Sequence, residues 1–139
     1  MSNKTQKWLF IAKGGIGKST ITLNISLSLA GIGKKILYIT CDPKSDISLF
    51  LEKNKKVKNF VEEYSSSLSN LNIGQILQST TYGVDYINIG NIEPGVGCAG
   101  RAIYIFLEII AQSKFIENKK YEFVIFDVLG DIPCGGFAT

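Results

Sequence analysis

The residues with the most recognisable chemistry form a glycine-rich run near the amino terminus, from Lys13 to Thr20, with the sequence KGGIGKST. Its glycines allow backbone N–H groups to surround phosphate oxygens, and a helix beginning at its end would add partial positive charge. Lys18 is placed to reach the β- and γ-phosphates, and Ser19 can ligate Mg²⁺. Ala12 stands where the general pattern has its first glycine. The predicted phosphate-binding residues are Gly14, Gly15, Ile16, Gly17, Lys18, Ser19 and Thr20.

Carboxylates follow two of the predicted strands. Asp127 ends an apolar run and is suited to hold Mg²⁺ or its water, as a Walker B carboxylate does, although by itself it could equally be a turn or capping residue. Asp42 and Asp46 follow an earlier strand with Lys44 between them, and Asp131 follows Asp127. We expect these acids to lie at the same edge of the predicted sheet, where they could all act on one metal-bound phosphate.

The three cysteines occur in different contexts. Cys98 and Cys134 lie in glycine-rich loops, where backbone N–H groups can approach sulfur and stabilise an anionic cluster. Two thiolates cannot hold a four-iron cluster, but two from each of two subunits can. On spacing alone, the alternative interpretation is that Cys98 and Cys134 are inert, buried thiols. Cys41, at a strand end, is interpreted as structural.

Strands and helices are predicted to alternate along the chain. Apolar runs predict four strands, at 8–11, 35–40, 84–89 and 121–127, and helices at 19–32 and 101–113, with short helices near Phe60 and Ile76. Residues 21–29 alternate between apolar and polar as a strand does, but a phosphate loop must open onto a helix. The pattern predicts an α/β doubly wound, mainly parallel sheet with P-loop topology, whose sites lie at the carboxyl ends of the strands.

Composition limits the classes of function. The 139 residues predict a single domain, and a formal charge of +3 is too small to argue for nucleic acid. The absence of histidine excludes imidazole catalysis, and Arg101 is the only arginine. No apolar run is long enough to span a bilayer, and the first residues lack the core of a signal peptide. We expect a cytoplasmic protein with reduced thiols and no nucleic-acid or membrane partner.

Four segments resemble the nitrogenase iron proteins (dinitrogenase reductases), which belong to the deviant Walker A P-loop ATPases. They are AKGGIGKST, CDPKSD, EPGVGCAGR and DVLGDIPCGGFA, in the same order and at similar spacing. The resemblance implies a homodimer in which Lys13 reaches the nucleotide of the neighbouring subunit. It also implies one [4Fe–4S] cluster per homodimer, bound by Cys98 and Cys134 of both subunits, and a docking face that contains Arg101.

The same resemblance implies roles for the acidic residues and for the residues that act with them. Asp42 and Asp131 join Lys13 as catalytic residues, with Asp131 positioning the attacking water. Lys44 belongs to the nucleotide-binding residues. The implied Mg²⁺ residues are Ser19, Asp46 and Asp127.

The function implied is an ATP-dependent iron–sulfur reductase that couples MgATP hydrolysis to one-electron transfer from the interfacial cluster to a larger metalloprotein. Its electron donor would be a ferredoxin or flavodoxin. The alternatives are a partition-type positioning ATPase without a redox role, an inactive remnant, and a tetrapyrrole-biosynthesis reductase. Because family members are longer, we expect residues 1–139 to be the amino-terminal portion of one nucleotide-binding domain, ending after its fourth visible strand.

Overall fold

A five-stranded, mainly parallel sheet forms the centre of the molecule. The computed structural model describes residues 4–41, 58–66, 71–90 and 99–128. The strands are β1 (Gln6–Phe10), β2 (Ile36–Thr40), β3 (Gln78–Ser79), β4 (Val84–Asn88) and β5 (Phe123–Asp127), in the spatial order β1-β5-β2-β4-β3. All neighbours are parallel except β3, which pairs antiparallel with β4. The four predicted strands are confirmed within two residues at each end. The two-residue β3 was missed because it is too short to show a pattern.

Four helices and one 3₁₀ turn accompany the sheet. They are α1 (Lys18–Gly31), α2 (Phe60–Ser66), the 3₁₀ turn Ile73–Gln75, α3 (Ala99–Gln112) and α4 (Phe115–Lys119). The predicted helices are confirmed, but α4 was not predicted. It is a single short turn bounded by Lys114 and Lys120, both in the left-handed backbone region. No helix within the described segments is long and apolar enough to cross a membrane.

The residues that α1 buries explain why its sequence alternates between apolar and polar residues as a strand does. Its buried residues are Thr22, Leu23 and Ser26, whereas Ile21 is 55% exposed. The Ser26 hydroxyl donates to the Thr22 carbonyl oxygen at 2.8 Å. Because hydroxyl groups occupy part of the buried face, the helix lacks the apolar stripe that would have identified it.

The sheet is covered on both faces, as a doubly wound fold requires. Leu37, Ile39 and Val124 point to the face that carries the apolar residues of α2, α3 and α4. Ile36 and Ile125 point to the face covered by α1. Every residue of β2 is buried, because this strand lies inside the sheet between β5 and β4. The predicted α/β fold class is confirmed.

The strand register aligns the carboxyl ends of the parallel strands. Phe10 and Thr40 are the partners of Asp127, and Thr40 is also the partner of Asn88. The loop that follows β1 therefore begins next to the end of β5. This edge of the sheet is where ligands bind in open α/β folds.

Gly90 provides a test of the packing after β4. Its φ is +91°, and an added Cβ would lie 2.5 Å from Asn59 Oδ1, the atom that accepts a hydrogen bond from the Glu62 N–H at the start of α2. We expect Gly90→Ala to lower the free energy of unfolding by about 1–3 kcal/mol. The measurement is urea unfolding followed by circular dichroism.

The matched control is Gly31→Ala at the end of α1, where an added Cβ meets nothing within 4 Å. Alanine is the better helix residue, so stability should stay unchanged or rise by roughly 0.5 kcal/mol. Equal destabilisation by the two substitutions would contradict the packing described for Gly90.

Candidate nucleotide-binding site

The glycine-rich loop after β1 has the backbone of an anion-binding turn. Gly15 and Gly17 have φ of +82° and +86°, values that side chains other than glycine rarely adopt. A Cβ added at Gly14, Gly15 or Gly17 would meet nothing within 4 Å, so open space adjoins the loop. Gly17 precedes α1 and provides no side-chain cap. The first N–H groups of α1 therefore remain suited to an anion.

A buried ion pair joins this loop to the sheet. Lys18, the first residue of α1, contacts Asp127 Oδ1 through its Nζ atom. The Asp127 side chain is 1% exposed and the Lys18 side chain 12% exposed. The second carboxylate oxygen, Oδ2, accepts a hydrogen bond from the Tyr38 hydroxyl at 2.6 Å. Both oxygens of Asp127 are thus held by donors, as a buried carboxylate requires.

The hydrogen bonds continue from the carboxylate to α1. Thr22 Oγ1 lies 2.9 Å from the Tyr38 hydroxyl oxygen and 3.1 Å from the Ser19 carbonyl oxygen. Because a carboxylate only accepts, Tyr38 donates to Asp127, and the single hydroxyl hydrogen of Thr22 is shared between the Tyr38 oxygen and the Ser19 carbonyl oxygen. Within the described residues, every buried side-chain nitrogen and oxygen has a hydrogen-bond partner. The chain of bonds therefore links β5, β2 and the first turn of α1.

These residues fit a phosphate with its magnesium ion. Lys18 and the loop N–H groups supply positive charge beside open space, which suits phosphate oxygens. The half-buried Ser19 and the carboxylate of Asp127 supply the oxygen ligands that Mg²⁺ prefers. Phosphate would bind to the loop and Lys18, and Mg²⁺ would be held by Ser19 and Asp127.

The structure brings together some of the predicted site residues. The loop residues, Lys18 and Asp127 meet at the carboxyl edge of the sheet. Lys13 is exposed at the start of the loop, and Arg101 is exposed in the first turn of α3. Six predicted residues lie outside the described residues: Asp42, Lys44, Asp46, Cys98, Asp131 and Cys134.

The metal-cluster prediction is not tested by the described part of the chain. In that part, no group of three or more Cys, Asp or Glu side chains could hold a metal ion. Both cysteines predicted to bind the iron–sulfur cluster lie elsewhere. The cluster therefore stays a prediction.

Sequence reasoning missed Tyr38 and Thr22. Tyr38 occurs in the apolar strand ILYIT, where an aromatic residue is interpreted as core. Thr22 occurs in the alternating part of α1. The available signal was the presence of hydroxyl groups at buried positions, but it becomes visible only when the buried faces of α1 and β2 are known.

Cys41 lies beside this network. Its backbone N–H donates to the Asp127 carbonyl oxygen at 3.2 Å, and the residue is 6% exposed. Burial raises the pKa of the Cys41 thiol to about 12, although the nearby Lys18 charge acts to lower it. The thiol is therefore protonated at neutral pH, as expected for a structural cysteine.

A glycine loop whose lysine pairs with a strand-end aspartate, on a mainly parallel sheet, defines a P-loop nucleotide-binding fold. The chain belongs to the family described as "4Fe-4S iron sulfur cluster binding proteins, NifH/frxC family", which matches residues 6–139. Nitrogenase iron protein 2 of Paenibacillus durus is 36% identical over all 139 residues of the chain. Those residues cover 47% of that protein, so the chain spans about half the length of this curated relative.

Solved structures support the fold. A ParA family ATPase from Chlorobium tepidum TLS is 21% identical with a TM-score of 0.65, covering 96% of this chain and 55% of that one. A chain of the MinC:MinD cell division complex of Aquifex aeolicus is 18% identical with a TM-score of 0.64, covering 95% of this chain and 50% of that one. Cobyrinic acid a,c-diamide synthase from Mycobacterium smegmatis, solved with ADP and magnesium, is 21% identical with a TM-score of 0.65, covering 92% of this chain and 52% of that one.

The buried ion pair predicts how the two loop lysines differ. Lys18→Met keeps the aliphatic stem but leaves Asp127 without its cation, so the free energy of unfolding without nucleotide should fall by about 3 kcal/mol. The control Lys13→Met removes an exposed charge and should change it by less than about 0.5 kcal/mol. Urea unfolding in nucleotide-free buffer measures both.

A second substitution separates lost charge pairing from lost packing. Adding Asp127→Asn to Lys18→Met removes the unpaired charge and should restore part of the stability. The ion pair would be contradicted if the two lysine variants were equally stable, or if the double variant were less stable than Lys18→Met.

The raised pKa of Cys41 predicts slow alkylation in the folded protein. At pH 8 iodoacetamide should label Cys41 only after urea unfolding, as measured by mass spectrometry of peptides. The unfolded thiol ionises near its ordinary value of 9.0, whereas the folded thiol holds its proton to about 12. The buried, protonated Cys41 thiol therefore leaves the free energy of unfolding at its full value below about pH 9, and the free energy of unfolding falls as the pH rises from 9 towards 12. Labelling of Cys41 at equal rates with and without urea would contradict its burial.

Proposed function

We propose that the protein is an ATP-dependent iron–sulfur reductase of the nitrogenase iron-protein type. In this proposal, hydrolysis of MgATP gates the transfer of one electron from a [4Fe–4S] cluster to a larger metalloprotein. The structural observation that carries the proposal is the Lys18–Asp127 pair beside the open glycine loop. Membership in a family of cluster-binding proteins supports the redox part.

The nucleotide part assigns roles to the loop and its surroundings. Lys18 and the loop N–H groups bind the β- and γ-phosphates, while Ser19 and Asp127 hold Mg²⁺. Lys13 is exposed, so its ammonium group is free to approach a nucleotide in a second subunit. In the transition state it would stabilise the developing charge on the phosphates, as an arginine finger does.

Three acidic residues and one lysine outside the described segments complete this part of the proposal. Asp42 and Lys44 respond to the nucleotide, Asp46 lies near Mg²⁺, and Asp131 positions the attacking water. These four assignments rest on the motifs CDPKSD and DVLGD and on family membership.

The redox part assigns one cluster to a homodimer. Cys98 and Cys134 from each of two subunits provide four thiolates, the number that a [4Fe–4S] cluster needs. The cluster supplies one electron at a time. Arg101 follows Cys98 closely in the sequence and is exposed in the first turn of α3, which makes it a candidate for contacting the acceptor protein. A ferredoxin or flavodoxin in the cytoplasm is the proposed donor.

The second candidate is a positioning ATPase of the partition type. The observation behind it is the likeness of the fold to a ParA family ATPase and to the MinC:MinD complex. Such a protein has no need of Cys98 and Cys134 in glycine-rich loops. A tetrapyrrole-biosynthesis reductase would also bind the cluster and would pass its electron to a different acceptor. Iron content therefore separates the positioning ATPase from both reductases.

Iron content and the spectrum of the cluster test the proposal directly. Protein purified without oxygen should contain about four iron atoms per dimer and, after reduction, show the electron paramagnetic resonance signal of a [4Fe–4S] cluster. Cys98→Ala and Cys134→Ala should each lose the iron and the signal, because each removes two of the four thiolates.

Cys41→Ala is the matched control and should retain both the iron and the signal, since Cys41 is buried beside Asp127. Thermal unfolding of the three variants shows whether the fold persists. An iron-free parent protein that binds nucleotide would favour the positioning ATPase. A cluster that survives in Cys98→Ala or Cys134→Ala would overturn the ligand assignment.

A further inference from the structure

The Tyr38 hydroxyl lies at the centre of the bonds that hold Asp127. Its side chain is fully buried in β2, and the hydroxyl donates to Asp127 Oδ2, while Lys18 contacts Oδ1. A phenylalanine would fill nearly the same space among the apolar side chains on this face of the sheet. A buried hydroxyl must be paired to avoid a desolvation cost, and here its partner is an ionised carboxylate, which makes the bond short and strong.

The two oxygens of Asp127 would have different partners when a nucleotide is bound. In the proposed function Lys18 also contacts a phosphate, which its three N–H donors allow, while Oδ1 keeps a lone pair for Mg²⁺ and Oδ2 stays with Tyr38. The terminal rotation of a carboxylate is otherwise soft, so the Tyr38 bond decides which oxygen stays in the sheet and which is presented to the loop.

Tyr38 also links the two proposed Mg²⁺ ligands. Its oxygen lies 2.9 Å from Thr22 Oγ1, and that same Oγ1 lies 3.1 Å from the carbonyl oxygen of Ser19. The Thr22 hydroxyl has one hydrogen for these two acceptors, so it connects them only by sharing that hydrogen. Loss of either hydroxyl would remove the connection between the carboxylate on β5 and the backbone of Ser19 on α1.

We infer that Tyr38 is a positioning residue that orients Asp127 for Mg²⁺ in the nucleotide site. The inference rests on the nucleotide part of the proposed function and is independent of the iron–sulfur cluster. Tyr38 does not contact the metal or the phosphate in this arrangement; it acts through Asp127. Its loss should weaken the contribution of Mg²⁺ to nucleotide binding and leave the contacts of the loop with phosphate intact.

The neighbouring strand offers a matched control. Tyr86 on β4 is the register partner of Tyr38, is 1% exposed and belongs to the same apolar cluster. Its hydroxyl donates to Gln78 Oε1 on β3 at 2.9 Å. Tyr86→Phe therefore removes the same group from the same face of the sheet, but from a bond to an uncharged amide on the other side of β2 from Asp127.

The experiment measures ADP binding to the purified protein by calorimetry, once with Mg²⁺ and once with EDTA. In Tyr38→Phe the ratio of the two affinities should fall about three- to tenfold, with the EDTA affinity unchanged. This is less than the roughly tenfold or more that a full hydrogen bond to a charged group is worth, because Tyr38 acts on the metal only through Asp127. In Tyr86→Phe the ratio should equal that of the parent. Thermal unfolding of both variants reports any general loss of stability, which a merely structural tyrosine would cause without changing the ratio.

A second pair of variants keeps the test decisive if Tyr38→Phe does not fold. Thr22→Val removes the hydroxyl that reaches Tyr38 and should lower the ratio in the same direction by a smaller factor. Ser26→Ala removes the next hydroxyl on the same helix face, whose bond goes to the Thr22 carbonyl oxygen, and should leave the ratio unchanged.

Two outcomes overturn the inference in distinguishable ways. If the parent binds ADP more tightly with Mg²⁺ and both hydroxyl variants keep its ratio, Tyr38 has no positioning role and the proposed function stands. If the parent shows no Mg²⁺-dependent binding, the nucleotide part of the proposed function fails, and the inference fails with it.

Discussion

The carboxylate of Asp127 is a buried negative charge, and much of the described structure serves to pair it. A buried charge is tolerated only when it is neutralised and hydrogen-bonded. Strand β5 lies between β1 and β2, so its end adjoins the glycine loop on one side and β2 on the other. The loop opens onto α1 and supplies Lys18, and β2 supplies Tyr38. The strand order thus decides which donors can reach Asp127.

This pairing also explains why nucleotide and Mg²⁺ are suited to bind together in the proposed function. In that proposal Lys18 would divide its contacts between a phosphate and Asp127, so the buried carboxylate would keep less of its ammonium partner. A divalent cation at Asp127 would make up for that loss, while Tyr38 would hold the other carboxylate oxygen. Each ligand would thus reduce the cost that the other faces.

The sequence predicted the parts of this site that are determined by local chemistry. The loop and Lys18 were predictable because phosphate binding needs a fixed order of glycine and lysine, and Asp127 because it ends an apolar strand. The rule that parallel strands align their carboxyl ends brings them together. Tyr38 and Thr22 were not predictable, because their roles depend on the register of β2 against β5 and on the buried face of α1. The strand-like alternation in α1 and the hydroxyl network both arise because hydroxyl side chains, Thr22 among them, occupy part of the buried face of that helix.

The alignment of strand ends has a consequence for the proposed coupling. Thr40 is the register partner of Asn88 on one side and of Asp127 on the other. In the sequence, Cys98 follows Asn88, and Cys134 follows Asp127 after a few residues. Both proposed cluster ligands therefore follow, along the chain, strands that end at the edge of the sheet that carries the candidate nucleotide site. In the proposed function, a change at Asp127 on nucleotide binding would act at the start of the stretch of chain that leads to Cys134, which is how the two proposed sites would be coupled.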